Sequence, residues 1–465
     1  MLTCSILACL LFFWGGCQLR KVCPFPEDMD FEEISPLSEN LTVDIYIDAS
    51  YSMVGFVALG NSYYVRMLQL LERSFIAGWP KGTRNFHKFG TSISEISREQ
   101  AKEAAFERFY RDPNFCAETR IESVIDSAKE GNLNIIITDL FQMDADVNLL
   151  IERLNQKFLS KKVSVGVLGI KSQFNGKVWD VGLQSLNFSY STDGRDPGEF
   201  RPFYLLMIGN YYDIAHFYKM MNYNGLDSFP EKNFLILSPQ LVERLATFEN
   251  SKIKQRKVKE IRGILQNSRV CRHFKQFMIN NGSSEHYFES TIEMPFLDHM
   301  PDFNPQRITT EVTAWQWLND PKIPTGNNGK AKKLDSKGEL IFSEEALRAF
   351  IIKDVSISGK QLKLKVEIDP GNFPGDGKYC FKIMFSSLSD SCSFPKWISE
   401  WDMDQNLIYQ WNENRGDFNG STTLNLKNFL NNIWQIIYQN HKPKIAKLYC
   451  YIEKRGSVKN LMKEE

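Results

Sequence analysis

The chain has 465 residues, 43% hydrophobic and 13% aromatic, too long for one ordinary domain and too apolar for a disordered polymer. Lys plus Arg equals Asp plus Glu at 56 each, so no global field draws it to nucleic acid or to an anionic surface. No nucleic-acid partner is expected, and any charged partner must be met by a local feature.

The apolar run from Ile6 to Trp14 is too short to span a membrane comfortably as a mature helix and reads as a secretory signal. Gly15-Gly16-Cys17, which follows it, resembles the bacterial lipoprotein cleavage box. No Lys or Arg precedes the run, and Trp14 stands where a small aliphatic residue is usual. The resemblance implies a signal peptide over 1–17, lipidation at Cys17, and an exported chain anchored to a membrane of the cell envelope. Residues 18–38, with Pro24, Pro26 and Pro36, read as a tether. Beyond Cys17 the cysteines are Cys23, Cys116, Cys271, Cys380, Cys392 and Cys450, with no CxxC pair, which argues against a cysteine zinc site. A Cys380–Cys392 bridge and buried free thiols both stay open.

From Leu41 strand and helix signals alternate. "TVDIYID" is a strand, "YYVRMLQLLERSFIAG" a helix, "RNFHKFG" a short strand, and "TRIESVIDSAKEG" a helix stopping at Gly131. "NLNIIITDLF" is a nearly continuous apolar strand, the mark of burial on both faces. The helix "VNLLIERLNQKF" and the strand "VSVGVLGI" follow, then an irregular stretch over 171–200 expected to form a hairpin at the sheet edge. "PFYLLMIG", "YYDIAHFYKMM" and "NFLILS" complete the series. This alternation predicts an α/β fold over 39–240, a doubly wound, mainly parallel sheet covered by helices.

Residues 241–290 read as a helical connector, in which Lys252, Lys254, Arg256, Lys257, Lys259 and Arg262 form either an acid-binding patch or a solvated face. Residues 291–465 read as a β-rich C-terminal domain. In "KQLKLKVEID" Leu362, Leu364, Val366 and Ile368 alternate with charged residues, as in a half-exposed antiparallel strand. One packed helix is expected where Leu426, Phe429, Leu430, Ile433 and Ile437 share a face. Trp397 and Trp401 suit either core packing or a sugar platform.

The chemistry concentrates at strand ends. In an open α/β sheet, ligands bind outside the carboxyl ends of the strands. The first strand ends at Asp48, with Ser50 and Ser52 at alternate positions of the following loop. Oxygen donors without His or Cys suit a hard cation, Mg2+ foremost and Mn2+ second. Three oxygens are too few for such an ion, and two further candidates stand at later strand–helix junctions: Thr119, just before a helix, and Asp139, closing the buried strand.

The set Asp48-x-Ser50-x-Ser52, Thr119 and Asp139 resembles the metal-ion-dependent adhesion site of von Willebrand factor type A domains, over roughly residues 40–240. The resemblance implies direct ligation by Ser50 and Ser52, ligation by Thr119 directly or through water, and action of Asp48 and Asp139 mostly through water. Glu118 and Leu140 occupy positions where that family often has glycine. Neutral hydroxyls and two outer carboxylates leave a divalent ion incompletely neutralised, so it can accept an Asp or Glu from a protein partner. The expected function is therefore a metal-dependent binding module of the envelope, not an enzyme.

Two rivals stand beside it. One is an adaptor or assembly factor for a chaperone-like ATPase, without export. The other is a metal-dependent phosphatase or hydrolase using Asp48, although Ser50 stands where a haloacid dehalogenase-type phosphatase has its second aspartate. GxxxxGK[ST], GxSxG and HExxH patterns are absent from the sequence.

Overall fold

The computed structural model describes residues 36–140, 147–179, 187–249, 251–261, 274–281, 286–303, 308–318, 339–387, 392–403 and 420–456. The signal segment, Cys17 and nearly all of the tether lie outside them.

The first half is built on a seven-stranded sheet. In chain order its elements are β1 (Thr42–Asp48), α1 (Tyr63–Gly78), β2 (Thr83–Phe89), β3 (Ile93–Ile96), α2 (Arg98–Lys102), α3 (Ile121–Ser127), β4 (Leu133–Thr138), α4 (Val147–Lys157), β5 (Ser164–Ser172), β6 (Asn175–Trp179), β7 (Asn187–Ser191), β8 (Arg201–Gly209), α5 (Tyr211–Tyr223) and β9 (Lys232–Leu237). The sheet order is β3-β2-β1-β4-β8-β5-β9, with β6 and β7 forming a separate hairpin. Every residue of β4, β5 and β8 is buried, as the apolar run in β4 predicts. Val43, Ile45 and Ile47 of β1 pack with α1 and α5 on one face, while Tyr46 and Ile136 pack with α3 and α4 on the other.

The sheet is mixed, not mainly parallel. Only β1–β2 and β1–β4 pair in parallel, while β2–β3, β4–β8, β5–β8 and β5–β9 are antiparallel. The cause lies in the 171–200 stretch. Among the described residues no α-helix separates β5 from β8, where the β6–β7 hairpin and a short 3-10 turn at Pro197–Glu199 lie, and a return without a helical crossover runs antiparallel. The hairpin does not extend the sheet edge. It lies against the turn that follows β1, where a Cβ on Gly176 would come within 3.0 Å of the Gly55 backbone.

The expected helical connector holds no helix among its described residues, which are turns, isolated bridges and strands. Lys252–Arg256 and Lys259–Glu260 are strands on two different sheets, so their cations form no helix face; residues 262–273 lie outside the described part. Lys254, Arg256 and Lys259 are exposed. Alternation of charge with Ile253 and Val258 suits a strand edge better than a helix, and the long basic run hides that period.

The C-terminal half packs a four-stranded sheet, ordered Lys252–Arg256, His286–Glu293, Gln361–Ile368 and Phe350–Ser358, against a larger one. That six-stranded sheet runs Lys259–Glu260, Phe274–Asn280, Lys444–Arg455, Gly377–Ser387, Ile308–Leu318 and Glu339–Phe342. Leu362, Leu364, Val366 and Ile368 all point inward, and Phe277, Phe288, Phe350 and Phe381 stack between the sheets. Cys380 and Cys450 are buried free thiols, so Cys380 forms no bridge to Cys392.

The helix Leu426–His441 does bury Leu426, Phe429, Leu430, Ile433 and Ile437, but it serves the first half rather than the β-sheets. It packs on α4 and the 159–161 turn, and His441 Nε2 lies 2.6 Å from the Leu159 carbonyl. Trp401 sits on β5, where a Cβ on Gly169 would meet its ring at 2.7 Å. Trp397 and Trp401 are buried against one another, a packing role rather than a sugar platform. The chain thus returns after residue 392 to cover the half of the β5–β8–β9 face that its own earlier helices leave open. One apolar core runs through both halves.

Candidate metal centre

The strand ends converge at the carboxyl end of β1 and β4. Burial of β1 drives Asp48 fully inside, where it must find partners. The Ser50 amide donates to Asp48 Oδ1 at 2.9 Å, and the Thr138 hydroxyl donates to Oδ2 at 2.8 Å. The Ser50 and Ser52 hydroxyls lie 3.0 Å apart, and Ser52 donates to Asp139 Oδ1 at 3.1 Å. Four of the five sequence-derived residues therefore form one connected cluster, with Ser50 and Ser52 each 3% exposed.

Thr119 comes from a separate loop held against that turn. The Tyr51 amide donates to the Cys116 carbonyl at 3.1 Å, and Thr91 donates its amide to the Phe115 carbonyl. Gly90 makes this approach possible, since a Cβ there would lie 2.0 Å from the Phe115 carbonyl oxygen. Thr119 is buried, and among the described residues its hydroxyl has no hydrogen-bond partner. An orphaned hydroxyl of this kind costs about 1–3 kcal/mol unless a ligand or water completes it.

The two departures from the family pattern take definite forms. Leu140 adopts φ +62°, the left-handed conformation that glycine takes without penalty. The Glu118 carboxylate turns to Arg120 at 2.7 Å, so it serves an ion pair at the rim. Met53 is fully buried, whereas Tyr51 is 47% exposed beside the cluster.

Burial pushes the Asp48 carboxyl up to about 7, and the nearby Asp139 charge adds to the rise. Its hydrogen bonds from Ser50 and Thr138 offset only part of this. Close by lie the buried Tyr64 and Tyr110, whose hydroxyls meet at 2.9 Å, and burial together with the Asp48 and Asp139 charges raises the Tyr64 hydroxyl above its ordinary value.

Sequence reasoning missed Arg201. Its Nη2 donates to Asp139 Oδ2 at 3.1 Å, and its side chain is 6% exposed. In a parallel reading, the first residue of β8 lies at the opposite edge from Asp139. Antiparallel β8 instead starts where β4 and β5 end, as the Thr138–Tyr204 and Ser172–Arg201 pairings record. An arginine leading the otherwise apolar "RPFYLLMIG" was the available signal.

The donor set fits a hard divalent cation: the hydroxyls of Ser50, Ser52 and Thr119, with Asp48 and Asp139 behind them. Among the described residues no cluster of three or more His, Cys, Asp or Glu occurs, so an ion held here relies on hydroxyls. Such an ion would supply electrophilicity, and the protein would supply position. No family model, no curated protein and no solved structure matches this chain. No helix among the described residues is long and apolar enough to cross a membrane.

Proposed function

We propose that the chain is a von Willebrand A-type binding protein that captures an acidic side chain of a protein partner through Mg2+ held at Ser50, Ser52 and Thr119. The observation that carries this reading is the buried Thr119 hydroxyl, without a hydrogen-bond partner among the described residues, on a loop pinned beside the Asp48–Ser50–Ser52–Asp139 cluster. In this reading 39–240 is a doubly wound domain with β8 inserted between β4 and β5. Asp48 and Asp139 orient the hydroxyls and neutralise part of the cation's charge, and Mn2+ can replace Mg2+. Tyr51, exposed at the rim, meets the partner. Cys17 carries the lipid that holds the chain to an envelope membrane. Binding is favoured over turnover because Ser50 supplies no second carboxylate for acid–base work.

The test is a pull-down from envelope extracts with the chain from Pro24 onward, in Mg2+, in EDTA, and as the Asp48→Ala/Ser50→Ala double variant. A partner retained only with metal and intact site supports the reading. Partners indifferent to both overturn it.

A further inference from the structure

Arg201 is not accounted for by a metal-bridged adhesion site. Its guanidinium is buried, yet its contacts are sparse: one bond to Asp139 Oδ2 at 3.1 Å, a longer one from Nη1 to the Gly420 carbonyl at 3.4 Å, and the Phe174 ring at 5.4 Å. Among the described residues its Nε finds no acceptor. Of its five donors, two find acceptors among the described residues. Its two polar partners also belong to different parts of the chain. Asp139 ends β4, inside the candidate metal centre. Gly420 opens the segment that crosses β8, where the Thr423 hydroxyl meets the Tyr204 hydroxyl at 2.9 Å and Gly420 packs on the Tyr190 ring.

We propose that Arg201 is a tethered counter-cation that holds Asp139 when no divalent ion is bound, competes with that ion, and couples its arrival to the docking of residues 420–424. The inference rests on the metal reading above and deepens it by naming how the site is regulated. Asp139 cannot be fully neutralised by Arg201 and still lend its charge to a divalent ion. A cation at Ser50 and Ser52 polarises the Ser52 hydroxyl that already donates to Asp139 Oδ1 and draws the carboxylate toward itself. The Arg201 pair would then loosen, and among the described residues the guanidinium would keep the Gly420 carbonyl as its acceptor. Coupling of this kind is reciprocal. Loss of the 420–424 contact leaves Arg201 with Asp139 alone and so disfavours the ion, and the ion in turn favours docking of that segment. The C-terminal half thereby reports on, and is reported to by, the adhesion site.

The test uses the full chain and Mg2+ alone, titrated calorimetrically in the unmodified protein, R201Q and R201K. R201Q is expected to bind Mg2+ about ten-fold tighter, because a buried like charge has been removed, while R201K stays within about three-fold of the unmodified chain. R201Q binding as the unmodified chain does, or more weakly, overturns the counter-cation and leaves Arg201 a support for Asp139. Absence of Mg2+ binding in all three overturns the metal reading and this inference with it. A second arm needs no variant: amide hydrogen exchange at Ser421–Leu424 is followed with and without Mg2+. Slower exchange in Mg2+ is expected, and unchanged or faster exchange overturns the coupling.

Discussion

Asp48 carries its charge at a cost, and that cost is measurable. Burial and Asp139 raise its folded-state pKa from 3.8 to about 7. A carboxyl raised in this way binds its proton more tightly folded than unfolded. Its stabilising contribution is therefore complete below pH 4 and is lost as pH climbs toward 7, the reverse of a salt-bridged aspartate. Linkage over that interval gives a loss of roughly 2.5 kcal/mol between pH 5 and pH 7.5 in the absence of divalent ions. Other groups titrate in the same window. Burial lowers His216 and His299, which makes the fold more stable as pH rises, and burial raises Asp213, which acts in the same direction as Asp48. The difference between the unmodified chain and Asp48→Asn isolates the term, because asparagine keeps an acceptor for the Ser50 amide and cannot ionise. Urea unfolding in EDTA at both pH values is the assay. Asp48→Asn is expected to gain about 2–3 kcal/mol on the unmodified chain between pH 5 and pH 7.5. Saturating Mg2+ is expected to restore the unmodified chain at pH 7.5, because a cation favours the ionised carboxylate. Parallel pH profiles for the two proteins in EDTA refute the argument.

Three further outcomes follow from the same geometry. Ser50→Ala removes a proposed direct ligand and one hydroxyl contact with Ser52; Mg2+ affinity by calorimetry is expected to fall at least ten-fold, with stability in urea changed by about 1 kcal/mol or less. Unchanged affinity counts against the ligand assignment. Gly90→Ala touches no ligand, but its Cβ collides with the Phe115 carbonyl, so the Thr119 loop must shift and Mg2+ affinity falls with it; retention of full affinity shows that Thr119 is not needed. Trp401→Ala empties the contact between the returning C-terminal segment and Gly169 and is expected to cost about 3–5 kcal/mol by urea unfolding. A loss under about 1 kcal/mol means that this segment is only loosely seated.

How much of this was legible beforehand differs from residue to residue. The run "NIIITD" announces a strand buried on both faces and ending in a carboxylate, because apolar periodicity is a local property that survives whatever the chain does elsewhere. The same holds for "TVDIYIDASYS", whose alternate oxygens sit at a strand end, and for the Leu426–Ile437 stripe. The helix was legible but its address was not. Its stripe states that one face is buried, and says nothing of whether α4 or a β-sheet does the burying. The basic 252–260 stretch misled because its charges obscure a period of two.

What the amino-acid order determined by itself is the inventory: an α/β first half, a β-rich second half, and hydroxyl and carboxylate donors at three separate strand or loop ends. What only the tertiary structure decided is which of these meet. The reversal of β8 carries Arg201 to Asp139, 62 positions away, and the returning chain brings Gly420 to Arg201 across 219. Such encounters depend on strand direction and long-range register, which are selected by packing of the whole core rather than by any window of sequence.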